Sequence, residues 1–145
     1  MAEFVNAAPQ TVAAGQNILF ADTPVRSGPG IIHRDGSGIV TLKNCGQCCK
    51  ALYKVTFGAN VAVPTGGTVE PISLALSIDG EPLASATAIV TPAAVEDLFN
   101  VFLAVFVEVT KCCCVSVAVE NTSTQPITVQ NANLIVERVD RGGDF

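Results

Sequence analysis

The feature that most limits what this chain can fold into is a period-two alternation of apolar and polar residues, which returns again and again between turn signals. Successive side chains of an extended strand point to opposite faces, so alternation of this kind marks a strand with one buried face. Residues 51–63 put Tyr53, Val55, Phe57, Val61 and Val63 on one side and Lys54, Thr56 and Asn60 on the other. Residues 72–79 repeat the pattern, with Ile72, Leu74, Leu76 and Ile78 set against Ser73, Ser77 and Asp79. Asp79-Gly80 then supplies a hairpin turn into a strand over 81–90. Val115, Val117 and Val119 alternate with Ser116, Ala118 and Glu120, and shorter candidate strands lie at 17–20, 31–34 and 39–43. Helix-compatible sequence is confined to residues 93–99 (AAVEDLF), which read as a connecting turn. The pattern predicts an all-β sandwich of about nine strands.

Two strands depart from simple alternation. Residues 98–110 are apolar on one face from Phe99 to Val109, but the opposite face carries Phe102 and Phe106. A strand apolar on both sides is covered on both sides, and the second cover is expected to be another subunit. Residues 127–139 change phase near Asn131, from Ile127 and Val129 to Ala132, Leu134 and Val136. That slip predicts a bulge, or a strand buried on both faces. Composition supports self-association. Hydrophobic residues make up 49% of the 145 residues and charged residues 14%, against about 25% in an average soluble domain.

The same composition excludes several functions. The net charge is −5 and the eight basic residues are scattered singly, so no nucleic-acid partner is expected. The most apolar run, 98–107, is far shorter than the roughly 20 residues of a spanning helix, so no membrane segment is expected. The opening Met-Ala-Glu-Phe does not read as a secretory signal. His33 is the only histidine and is expected at the surface or an interface. Asp22, Asp35, Asp79 and Glu81 lie near turns, but no loop has the dense acidic ligands of a calcium site, and solvated turn residues are the favoured reading. Asn121-Thr122-Ser123 is a formal glycosylation sequon of a kind that arises often by chance. Gly142-Gly-Asp-Phe145 only superficially echoes a signalling-enzyme motif. With no phosphate loop and no paired carboxylates, neither a catalytic site nor a cofactor is expected.

Five segments in order carry a resemblance to a known family: Asn17-Ile-Leu-Phe20; Gly38-Ile-Val-Thr-Leu42; Ala51-Leu-Tyr-Lys-Val-Thr-Phe57; Ile72-Ser-Leu-Ala-Leu-Ser-Ile-Asp-Gly80; and Val117-Ala-Val-Glu-Asn121 with Val129-Gln-Asn-Ala-Asn-Leu-Ile135. Over residues 17–139 the chain resembles the trimeric jelly-roll family of tumour necrosis factor and complement-type globular heads. The likeness is nearest to its bacterial and phage members, such as the heads of collagen-like spore-surface glycoproteins. The resemblance implies a homotrimer with Tyr53, Ala132, Leu134 and Val136 at its interface, where Phe102 and Phe106 of the doubly apolar strand are also expected. It leaves residues 1–16 as an arm for assembly contacts and 140–145 as a tail. The chain departs from the family at two turns, Cys45-Gly-Gln-Cys-Cys-Lys50 and Lys111-Cys-Cys-Cys114, and no Gly-X-Y stalk precedes the head.

Those two turns hold all six cysteines: Cys45, Cys48, Cys49, Cys112, Cys113 and Cys114. The implied topology brings both turns to one end of the sandwich, with Cys113 inward and Cys112 and Cys114 outward. Disulfides between the turns are the leading reading. One such bridge closes a loop of about 65 residues and adds on the order of 3–4 kcal/mol in the chain-entropy model. The rivals are a zinc site at Cys45, Cys48, Cys112 and Cys114 and reduced thiols that act as small hydrophobes. Redox catalysis is the weakest reading, because Cys45-x-x-Cys48 lacks a strand-to-helix setting. Taken together, the expectation is a non-enzymatic structural protein: a trimeric capsid decoration or head-fibre protein at a bacteriophage virion surface, partnered by capsid or other particle proteins. The alternative is a disulfide-crosslinked subunit of a spore surface or extracellular appendage. A sugar-binding module ranks below both, since one Tyr and no Trp leave little to stack a sugar on.

Overall fold

The computed structural model describes residues 1–26, 30–44, 50–110 and 114–139. Among these residues there are eleven strands and no helix. They are β1 (Ala2–Asn6), β2 (Gln10–Val12), β3 (Asp22–Val25), β4 (Ile31–His33), β5 (Val40–Lys43), β6 (Lys50–Ala62), β7 (Ile72–Ile78), β8 (Glu81–Val90), β9 (Phe99–Thr110), β10 (Cys114–Asn121) and β11 (Ile127–Arg138). Sheet A runs β3-β1-β11-β6-β9, with β2 also paired to β11. Sheet B runs β4-β5-β10-β7-β8. Every pairing is antiparallel, and the chain passes repeatedly from one sheet to the other, which makes a jelly-roll sandwich.

The alternation becomes the core. Tyr53, Val55, Phe57 and Val61 from β6 meet Ile72, Leu74 and Leu76 from β7, with Leu134 and Val136 from β11, all of them buried. Asp79 (φ 52°) and Gly80 (φ 88°) form the two-residue hairpin turn, both in the left-handed region that such turns require. Residues 93–96 are bend and turn, and no helix precedes β9, which begins at Phe99. The phase change in β11 is a bulge. Gln130 pairs with Asn60 and Asn133 with Gly58, so three steps on β11 span two on β6. Asn131 takes up the extra residue at φ 56°.

Three expectations change. Residues 1–16 are not a free arm, because β1 and β2 lie along β11 and Ala2, Phe4 and Val12 join the core. Their signal is weak in the sequence because β1 and β2 are five and three residues long, too short to show a period. Residues 17–20 form no strand. They make one isolated bridge, Asn17 to Glu120, and plug the core with Ile18 and Phe20. The chain passes so close there that a Cβ on Gly38 would collide with the Ile18 carbonyl. Finally, Tyr53, Ala132, Leu134 and Val136 are 0–2% exposed within one protomer. They face the opposite sheet and leave no area for a second subunit, so they belong to the core and not to an interface.

Candidate functional site

Two regions of the sandwich hold the residues singled out from the sequence. The first is the pole that carries the cysteine-rich turns. Lys43 at the end of β5 pairs with Cys114 at the start of β10. Lys50 at the start of β6 pairs with Thr110 at the end of β9. Both cysteine-rich connections therefore leave from, and return to, neighbouring strand ends at one pole, as the jelly-roll reading expects. Below them, buried Asn44 donates from Nδ2 to the Val109 carbonyl at 3.4 Å. The Tyr53 hydroxyl donates to the Lys43 carbonyl at 2.6 Å. Lys50 and Glu108 pair across β6 and β9 at 3.7 Å. Cys114 is exposed, as its outward position in the alternation requires. Cys45, Cys48, Cys49, Cys112 and Cys113 lie outside the described residues. Among the described residues, no three His, Cys, Asp or Glu side chains gather as a metal site.

The second region is the outer face of sheet A at its β9 edge. The inward residues Val101, Leu103, Val107 and Val109 are buried, which turns Phe102, Ala104 and Phe106 outward. Phe102 is 63% exposed and Phe106 60%. The two rings form an apolar ridge on an edge strand. The doubly apolar pattern of residues 98–110 thus has one cover inside the protomer and none on the other side. Of the six residues expected at a subunit interface, these two are the ones that face away from the core.

His33 does not lie at the surface. Its side chain is 1% exposed, because β4 turns the ring inward onto Phe4, with centroids 4.5 Å apart. Nε2 donates to the Ser37 carbonyl at 2.8 Å. Nδ1 is buried without a hydrogen-bond partner, 3.9 Å from Asp35 Oδ1. Asp35 also accepts from Thr23 Oγ1 at 2.8 Å. The lone histidine therefore helps join the β1–β3 edge of sheet A to the β4 edge of sheet B. The sequon residue Asn121 is buried as well. Its Nδ2 donates to the carbonyls of Val12 (3.0 Å) and Gln125 (3.1 Å), and its Oδ1 accepts from the Ser123 amide (2.9 Å). A side chain held in this way is closed to glycosylation in the folded protein.

The sheet order identifies the fold among solved structures. The chain is similar to the globular domain of zebrafish complement 1qA protein, with a TM-score of 0.58 and 13% identity over 92% of this chain and 94% of that one. It is similar also to murine APRIL, with a TM-score of 0.57 and 10% identity over 92% and 95%. The fold is a C1q/TNF-like jelly roll. No family model and no curated protein matches the chain. Identities this low fix the fold alone, and what this jelly roll does has to come from its own residues.

Proposed function

We propose that this jelly roll is a non-enzymatic building block that works as a homotrimer on the surface of a larger particle, as a capsid decoration or head-fibre protein of a bacteriophage. The observation that carries the reading is the Phe102–Ala104–Phe106 ridge, two largely exposed phenylalanines on an edge strand of a chain with 14% charged residues. Exposed aromatic rows on edge strands favour aggregation unless a partner covers them. The trimeric family that the sequence resembles supplies the stoichiometry. Sedimentation equilibrium of the intact protein tests it: the expected mass is three times the 15.0 kDa protomer, and replacing both phenylalanines by aspartate should leave protomers. A native protein that sediments as a protomer at tens of micromolar ends this reading. Mass spectrometry of purified virions tests the particle.

A second reading is a crosslinked subunit of a spore surface or extracellular appendage, favoured by exposed Cys114 at the pole where both cysteine-rich connections meet. In that reading some of Cys45, Cys48, Cys49, Cys112, Cys113 and Cys114 join neighbouring subunits. A non-reducing gel separates the two. A ladder that collapses with reductant favours the appendage, and a single band that only changes mobility favours bridges within one chain.

A further inference from the structure

Sheet B carries a cleft on its outer face, away from the Phe102–Phe106 ridge of sheet A. The inward side chains of β10 are Val117 and Val119, which turns Ser116, Ala118 and Glu120 outward. On one side β10 pairs with β7, and Ser77 lies beside Ala118. On the other side β10 has two neighbours in turn. β5 pairs with residues 114–117. The segment 16–18 then takes over, with Asn17 bridged to Glu120 and the Ile18 amide donating to the Val119 carbonyl at 2.9 Å. A cleft of about 130 Å³ opens where the first neighbour gives way to the second. Ala118 is its floor, and Asn17, Ile39, Ser77, Ser116 and Glu120 stand around it.

The polar atoms of this cleft form an unused set of acceptors. Glu120 is half-buried, and among the described residues its carboxylate has neither a hydrogen bond nor an ion pair. The Ser116 hydroxyl and the Asn17 carboxamide are likewise without partners among those residues. Ser77 is buried and gives its hydroxyl proton to the Ala118 carbonyl at 3.4 Å, which leaves the lone pairs of Oγ to accept. Asp79 adds a second negative charge at the Ser116 end, where its Oδ1 accepts from the Ser116 amide at 2.9 Å. No Lys, Arg or His lines the cleft.

We propose that this cleft binds a primary ammonium group. A carboxylate that loses part of its hydration is best compensated by a charged donor. An ammonium carries three N–H donors on one small head, and here acceptors reach it from different sides: Glu120 and Asn17 at one end, Ser116 at the other and Ser77 across the floor. A guanidinium spreads its donors in one flat fork, which suits a single carboxylate edge better than this enclosure. A free alkylamine and a lysine side chain of a partner protein present the same head.

NMR titration of the intact 15N-labelled chain tests the site. Butylammonium should move the backbone signals of Ser116, Ala118 and Glu120 and the side-chain amide of Asn17, and the shifts should saturate. Tetramethylammonium has the charge but no N–H, and at the same concentration it should leave these signals in place; propylguanidinium should bind more weakly than butylammonium. Shifts that never saturate, or that tetramethylammonium reproduces, overturn the site. Glu120→Gln should weaken butylammonium at least about tenfold. Ala118→Leu fills the floor, leaves every acceptor in place and should abolish binding. Butylammonium that binds both variants as tightly as the native chain also overturns the site. A blocked lysine tripeptide separates the two sources. Saturable shifts with it assign the cleft to a protein partner, and shifts with butylammonium alone assign it to free amines.

Discussion

The two poles of the sandwich carry different residues in their connections. At one pole the turn after β10, Asn121-Thr-Ser-Thr-Gln125, fastens the neighbouring loops with its own side chains. Gln125 exchanges two hydrogen bonds with the Thr68 backbone, at 2.6 and 3.0 Å. Ser123 Oγ accepts from the Ser73 amide at 2.8 Å, and Asn121 bonds three backbone groups at once. At the other pole Asn44 bonds the Val109 carbonyl, and the connections also carry Cys45, Cys48, Cys49, Cys112, Cys113 and Cys114. The contrast teaches that local amides and hydroxyls are enough to close a jelly-roll end. On the disulfide reading, the six sulfurs at the second end add linkage to bonds of that kind.

The largest effect that could break this contrast is chemical reduction. A strong reductant should lower stability by about 3–4 kcal/mol, or the melting temperature by about 10 °C, while a chelator changes nothing. Loss of stability with the chelator instead would transfer the sulfurs to a zinc site, and no change with either would make them plain thiols. Next comes Asn121→Ala at the amide pole. It strands the buried Val12 carbonyl, the half-buried Gln125 carbonyl and the Ser123 amide, and should cost about 2–4 kcal/mol in urea unfolding. A cost below about 1 kcal/mol would mean that the amide network is not what closes this end. The smallest effect is Tyr53→Phe, which removes the hydroxyl bond to Lys43 and should cost about 1 kcal/mol. It should leave the assembly mass unchanged, because Tyr53 lies in the protomer core. A shift to lower mass would return Tyr53 to the interface.

Much of this was legible in the sequence, with physical reasons for what was not. β6 through β11 are long and alternate, so period two locates them and shows which residues share a face. Alternation cannot say whether an apolar face meets the chain's own second sheet or another chain. The resemblance puts Tyr53, Ala132, Leu134 and Val136 at an interface and they belong to the core, while Phe102 and Phe106, which the doubly apolar pattern singles out, do face outward. β1, β2 and β3 are three to five residues long, and β3 contains Pro24, so propensity alone hides them. Residues 17–20 have inward Ile18 and Phe20 like a strand, but backbone partners differ from one residue to the next: Ile18 donates to Val119 and Phe20 to Ser37. The shared pole of the cysteine-rich turns followed from topology. Burial of His33 did not, because a three-residue strand shows no phase of its own.

The extra residue at Asn131 gives β11 something like a reading frame. Before it, odd-numbered side chains enter the core; after it, even-numbered ones do. Deleting that one residue would straighten the bulge and leave strict alternation, with Ala132, Leu134 and Val136 still entering the core. β11 can therefore give up Asn131 and keep its core side chains in place, whereas β6, which pairs with β9 with no register shift, has no spare residue to lose from its middle.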